Sequence, residues 1–451
     1  MAKKGVYIAP WERAFKRVLT PLDEFIHRQT TSGVLLMICA VIALIIANSQ
    51  WHDAYEHLLH TAVSLSFGEY AFSLSVHHWI NEALMAAFFF IMGLELKREL
   101  LVGELASLQQ ALLPILAAIG GMLVPAGVYL LFNPSGPASN GWGIPMATDI
   151  AFAVGILSLL GSRIPKNLLI FLVALAIVDD LGAVAVIALF YTNELNIPAL
   201  IAAGLLTGVL ISFNLGGIRW VLPYVLIGVF LWLAMLASGI HATVAGIVLA
   251  FTIPIRPKFD PERLIEHVHE LAHKMSDSLR KGPDIIRNNL FRSQVIALGD
   301  GADYAQAPAQ QLEHKLHLPV AYLVIPVFAL ANAGIPINTE ELSAAVSHPV
   351  TLGVFFGLFL GKLIGIVGFT WVAVLMGLSK LPEGLRMTHI VGVAMLGGIG
   401  FTMSIFIADL GFVNNPQELL MAKSGILMAS LVSGIAGAVW LLVFSEKNAE
   451  D

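Results

Sequence analysis

The chain has 451 residues, 57% of them hydrophobic and 12% charged, with a net charge of -6. That usage excludes an ordinary soluble domain and calls for an all-α polytopic membrane protein. The single Cys39 excludes an internal disulfide and packs as a small hydrophobe.

Residues 1–30 are charged and amphipathic and lack a small-residue cleavage pattern, so they read as a cytoplasmic segment and not a signal peptide. A first span covers Gly33–Asn48. A polar loop without Lys or Arg follows. In it, Thr61–Phe67 and Tyr70–Val76 alternate with period two around Gly68-Glu69, which predicts a small periplasmic β-hairpin near 61–76. Its open edges offer pairing to a second copy, hence a homodimer. Span two, Trp79–Leu100, has Glu82 at one end and Glu95, Lys97, Arg98 and Glu99 at the other, where charges are normally solvated. Span three is Gln110–Phe132. Span four, Gly141–Leu160, is interrupted by Gly143, Pro145 and Gly155, with Thr148-Asp149 at its centre.

Span five, Leu168–Tyr191, contains Asp179-Asp180 as the only ionisable groups between Phe171 and Phe190. About 20 residues at 1.5 Å cover ~30 Å of bilayer. An Asp at the middle of such a helix costs roughly 2.5–3.5 kcal/mol on insertion scales, so two imply a use. Neighbouring helix positions point ~100° apart, so the two carboxylates face different surroundings, one toward a ligand and one toward a partner group. Spans six to eight are Pro198–Phe213, Trp220–Leu236 and Ile240–Ile255. The polar stretch 256–317 reads as an extended cytoplasmic loop, with a helical excursion over Arg263–Arg292 and a flexible linker over 298–311. Span nine is Leu318–Gly334. Span ten, Leu352–Leu375, contains Lys362. Span eleven, Met387–Leu410, is broken at Gly397-Gly398 and Gly400, and Asp409 near its end is unexpected. Span twelve, Leu420–Phe444, completes about twelve spans of bilayer length.

The layout is therefore spans one to eight in 31–255, the loop 256–317, spans nine to twelve in 318–444 and a cytoplasmic tail 445–451. Lys and Arg test it. The loops after spans one, three, five, seven, nine and eleven contain none, and only Lys362 and Lys423 depart from the other side. Both termini are then cytoplasmic. Two interrupted spans in the two halves, each next to a span with mid-membrane charge, suggest inverted repeats with discontinuous crossing helices and a midplane ion site. Asp149 and Lys362 suit the partial charges of the half-helix ends.

Several motifs closely resemble the NhaA-type sodium/proton antiporters. They are Phe90–Leu100, Ala147–Ala153, Ile177–Ala183, Ser238–Thr243, Ala329–Gly334 and Gly397–Ile405. The resemblance covers nearly all of 25–445. This family is itself a standing example of inverted repeats with broken helices, so the symmetry reading is not independent of it. The stretch around 270–308 looks longer than is usual there.

The resemblance implies that Asp180 binds Na+ or Li+ and carries H+ when empty. Asp179 shares the site and pairs with Lys362, and Thr148, Asp149, Gly397 and Gly398 form the crossing, with Thr148 a further Na+ contact. It also implies a pH response from Glu95, Glu99, Glu313, His314 and His317, with His241 a further candidate. No cofactor beyond the transported ions is implied. A buried carboxyl tends to hold its proton toward working pH, so proton and cation compete for the same oxygens. Sodium is a hard cation suited to them.

Two related readings are a potassium/proton exchanger and a sodium-coupled symporter of organic anions. The motif match argues against the symporter. An intramembrane aspartyl protease, which needs aspartates on separate helices, does not suit adjacent Asp179-Asp180, so no enzyme is expected. No phosphate loop, zinc constellation or nucleic-acid module is present.

Overall fold

The computed structural model describes residues 29–67, 70–192, 195–257, 261–281, 288–336 and 346–445. The expected N-terminal amphipathic segment up to residue 28, the hairpin tip Gly68-Glu69 and all of the tail but Ser445 lie outside the described residues.

Among those residues nine helices are long and apolar enough to cross a membrane, or eleven if each of two bent pairs is one span. The short apolar helix Thr243–Thr252 stands where span eight is expected. A helix stands at the place of each expected span, and the protein is a multi-pass, all-α membrane protein with one small sheet among the described residues. That sheet is the hairpin. Strands Ala62–Phe67 and Tyr70–Ser75 run antiparallel in the register Val63↔Leu74 and Ser64↔Ser73. The Ser64 and Ser73 hydroxyls bond across it at 2.8 Å.

The chain divides into two compact units. The first comprises Met1–Asn81, Glu104–Tyr191 and Ala321–Asp451. In it, helix Leu108–Phe132 packs on helix Lys362–Leu375 with backbone against backbone. A Cβ at Gly120 would strike the Gly365 carbonyl, and one at Gly365 would strike that of Gly120. Only a residue without a side chain permits this approach, and it seats Lys362 in the interior, 0% exposed. Span four begins as a 3₁₀ helix, Pro137–Met146, runs extended through Ala147, and resumes as α-helix Ile150–Leu159. Gly155 does not interrupt it. That glycine lies inside the second half, where its missing Cβ makes room for Gly33 on helix Gln29–Ala47. Span eleven is helix Met387–Gly397 and helix Phe401–Gly411, bent by 46°.

The second unit comprises Glu82–Gly103 and Thr192–Val320. Helix Thr243–Thr252 packs on helix Met85–Val102, with Gly246 against the Ala86 carbonyl and Gly93 against Ala250. The polar stretch is more ordered than its composition suggests. It forms helices Pro261–Lys281 and Asn289–Ala305, and a third, Pro308–Pro319, begins the span Pro308–Asn332. The expected linker 298–311 is thus largely helical, and span nine starts earlier than its apolar run. Two causes are visible. Asn288 caps the second helix by accepting from the Phe291 N–H at 3.0 Å, and its amide reaches back to Ser278 O at 2.8 Å. Ser278 in turn donates to Gln294 at 3.0 Å. These bonds offset the ~1 kcal/mol that each glycine costs a helix interior.

Candidate functional site

The two interrupted spans cross within the first unit and satisfy each other's broken backbone. The Asp149 N–H donates to Ile399 O at 2.7 Å. The Thr148 hydroxyl lies 2.9 Å from Gly397 O, which ends helix Met387–Gly397. Ser404 donates to Ile144 O at 2.8 Å, and the Phe401 N–H donates to Ser430 Oγ at 3.2 Å. Gly398 must stay small, because a Cβ there would lie 2.6 Å from both Leu358 O and Ser433 Oγ. Irregular backbone survives at membrane depth only when its groups are paired in this way.

Asp149 is the keystone of the crossing. Its Oδ1 accepts from the Phe152 N–H at 3.0 Å and so caps its own half-helix. Its Oδ2 accepts from the Thr402 N–H at 3.1 Å and the Thr402 hydroxyl at 2.5 Å. One carboxylate thus sits at the N-termini of both half-helices, where their partial positive charges converge. With both oxygens engaged, Asp149 holds the crossing together.

Asp179 faces it from the unbroken helix Lys166–Phe190, with Asp180 next to it on the same helix; the two are 0% and 3% exposed. Lys362 donates to Asp179 Oδ2, and both side chains are completely buried. Lys362 therefore balances a carboxylate and not a half-helix end. The Thr148 hydroxyl lies 2.9 Å from that same Oδ2. It has one proton and two flanking acceptors, Asp179 and Gly397, and keeps lone pairs for a cation. Asp179 Oδ1 has no hydrogen-bond partner among the described residues, and a Cβ on Gly121 would lie 3.6 Å from it. The arrangement gathers Asp179, Asp180, Thr148, the Gly397 carbonyl and one lysine in the protein interior. These are hard oxygen donors, with the Lys362 ammonium as a competing positive charge.

Comparison with known proteins identifies the chain at this point. The family model described as Na+/H+ antiporter 1 matches residues 23–441. The chain belongs to that family. Curated relatives agree with it. The Na(+)/H(+) antiporter NhaA 1 of Saccharophagus degradans is 51% identical over 431 residues, 96% of this chain and 93% of that protein. The NhaA antiporter of Sulfurimonas denitrificans is 51% identical over 437 residues, covering 96% and 97%. That of Acidithiobacillus ferrooxidans is 49% identical over 437 residues, covering 96% and 99%. The protein is a transporter that exchanges Na+ for H+.

The residues expected to answer pH in this antiporter fall into separate groups, all in the second unit. Arg98 links Glu99 at 2.9 Å and Glu313 at 3.1 Å. Glu95 is half-buried on the same helix, while His314 and His317 are exposed. His241 is not with them. Its Nδ1 lies 3.8 Å from Glu82, which precedes Glu95 by over three turns, roughly 20 Å of helix. The expectation that charges at the end of span two are solvated also fails for Lys97. That side chain is 8% exposed and donates to Phe251 O at 2.7 Å and Ile253 O at 2.5 Å. It caps the C-terminal end of helix Thr243–Thr252, where a cation suits the helix dipole. Sequence reasoning also passed over Thr402 as the anchor of Asp149. The available signal was a hydroxyl residue two places beyond the glycine break.

Proposed function

We propose that the antiporter moves cytoplasmic Na+ or Li+ outward in exchange for external H+ across a bacterial inner membrane, with both termini cytoplasmic. Asp180 carries the cation, and a proton when the cation is absent. Asp179 and Thr148 complete the ligand set, and the Lys362–Asp179 pair carries a second proton, which makes exchange electrogenic. The observation that carries this reading is the buried Lys362–Asp179 pair beside Asp180, with Thr148 bridging to the broken helix. An ammonium held on one carboxylate is a built-in competitor for a cation at the next. Sodium and protons that compete for the same oxygens, at a site open to one side at a time, are exchanged without any further coupling device. Arg98 with Glu99 and Glu313, and Glu95 beside them, is the group that adjusts transport to cytoplasmic pH. A homodimer forms through the hairpin edges at the periplasmic face.

The test uses everted vesicles with a fluorescent ΔpH probe and successive additions of Na+, Li+ and K+. Wild-type protein should dissipate ΔpH with Na+ and Li+ and not with K+. Asp180→Asn should abolish the response while the protein still inserts and folds. Near-normal sodium-driven proton movement in that variant would remove Asp180 from the carrier role.

A further inference from the structure

Two charges break the sequence pattern and take no part in the crossing: Asp409 near the end of span eleven and Lys423 near the start of span twelve. They are partners. Lys423 Nζ lies 3.0 Å from Asp409 Oδ1, with side chains 13% and 9% exposed. The other Asp409 oxygen accepts from Asn81 Nδ2 at 3.3 Å. Asn81 Oδ1 accepts from Asn332 Nδ2 at 2.8 Å, and Asn332 Oδ1 lies 2.9 Å from His77 Nε2. All five residues belong to the first unit. One network thus ties together spans two, nine, eleven and twelve. Asn81 enters it from a π-helical turn, Trp79–Leu84, an uncommon conformation that recurs at functional sites.

The network sits at the far end of a lever. Thr402 and Asp409 lie on the half-helix Phe401–Gly411. Seven residues apart, they share a face and are separated by roughly 10 Å along the axis. One end bonds Asp149 at the crossing and the other ends in the Asp409–Lys423 pair. The joint Gly398-Ile399-Gly400 lies outside both half-helices and is the natural pivot.

We propose that Asp409 and Lys423, positioned by Asn81, Asn332 and His77, form a latch that holds the outer half of span eleven closed. The latch sets how the antiporter divides its population between its two faces. The inference rests on the orientation given under Proposed function. When the latch is engaged, a half-buried ion pair pins the outer end of span eleven to span twelve, so weakening it favours the outward-open state. Apparent affinity at each face scales with the fraction of protein open to that face. Loss of the latch therefore has opposite effects at the two faces, whereas a pair that merely stabilises the fold would affect both alike.

The experiment compares wild type with Asp409→Asn, with the neutral pair Asp409→Asn/Lys423→Met, and with the exchanged pair Asp409→Lys/Lys423→Asp. Each is reconstituted in proteoliposomes of known orientation, and the apparent KM for Na+ is measured at each face. Impermeant-thiol labelling of Ser64→Cys identifies the hairpin side independently. With the latch broken, KM at the hairpin face should fall and KM at the opposite face should rise. The two opposite shifts should multiply to at least about fivefold, the lower end of ordinary coupling. The exchanged pair should return both toward wild type. Where Asp409→Asn folds poorly, the neutral pair gives the same reading without a stranded charge. Folded variants whose KM values move together, or do not move, overturn the latch. Labelling that places the hairpin in the cytoplasm, with the opposite shifts intact, overturns the orientation and leaves the latch standing.

Discussion

Lys362 and Asp179 form an ion pair with both side chains completely buried. Taking one partner from such a pair costs about 3–5 kcal/mol, because the other is left as an uncompensated charge. Lys362→Met keeps most of the side-chain volume, so little of its loss comes from a cavity. Asp179→Asn keeps the shape and one acceptor for the Thr148 hydroxyl. Each single variant should therefore unfold well below wild type in detergent. The double variant strands no charge, and its loss should fall short of the sum of the two by about 1–3 kcal/mol, the size of a direct contact. In Lys362→Met the stranded carboxylate is relieved on binding a proton, so that deficit should shrink as pH falls. Lys362→Arg keeps a charge on Asp179 and should be more stable than Lys362→Met. Its guanidinium resists deprotonation far more strongly than an ammonium does. If lysine gives up the second proton, the Arg variant therefore moves less net charge per sodium, measured as current on a solid-supported membrane. Thermal shifts that simply add in the double variant would refute the ion-pair argument. Undiminished current in Lys362→Arg would transfer the proton to Asp179.

Thr402→Val removes the hydroxyl donor at 2.5 Å from Asp149 and leaves the N–H donor in place. It should cost about 1–3 kcal/mol, as a charge-assisted bond does, and Thr402→Ser should restore most of that in the same unfolding assay. Deleting residues 61–76 should give monomers that still transport, judged by light scattering and vesicle assay, and dimers that persist would take the hairpin out of the interface.

The sequence by itself determined the class of the protein, the order of its apolar helices and the sites of the two breaks. Those properties are local: apolar length, glycine and proline position, and the alternation of Lys and Arg are all read from neighbours in the chain. The same holds for the hairpin, whose register follows from its own period. It also singled out Asp179, Asp180, Lys362 and Thr148, because a polar side chain in an apolar span is conspicuous before its partner is known.

What each polar group bonds to was settled only by the tertiary structure. Asp149 reads as a carboxylate that balances a half-helix end, but only packing brings up Thr402, 253 residues away, and makes it the shared cap of two. Lys97 reads as a solvated end charge until helix Thr243–Thr252 brings its last carbonyls to the ammonium. Asp409 and Lys423 look like unrelated exceptions on neighbouring spans until folding joins them. The physical reason is common to all three. The cost of burying a polar group is set by its own chemistry and is visible in the sequence. What offsets that cost is a partner delivered by packing, and no local pattern records which one arrives.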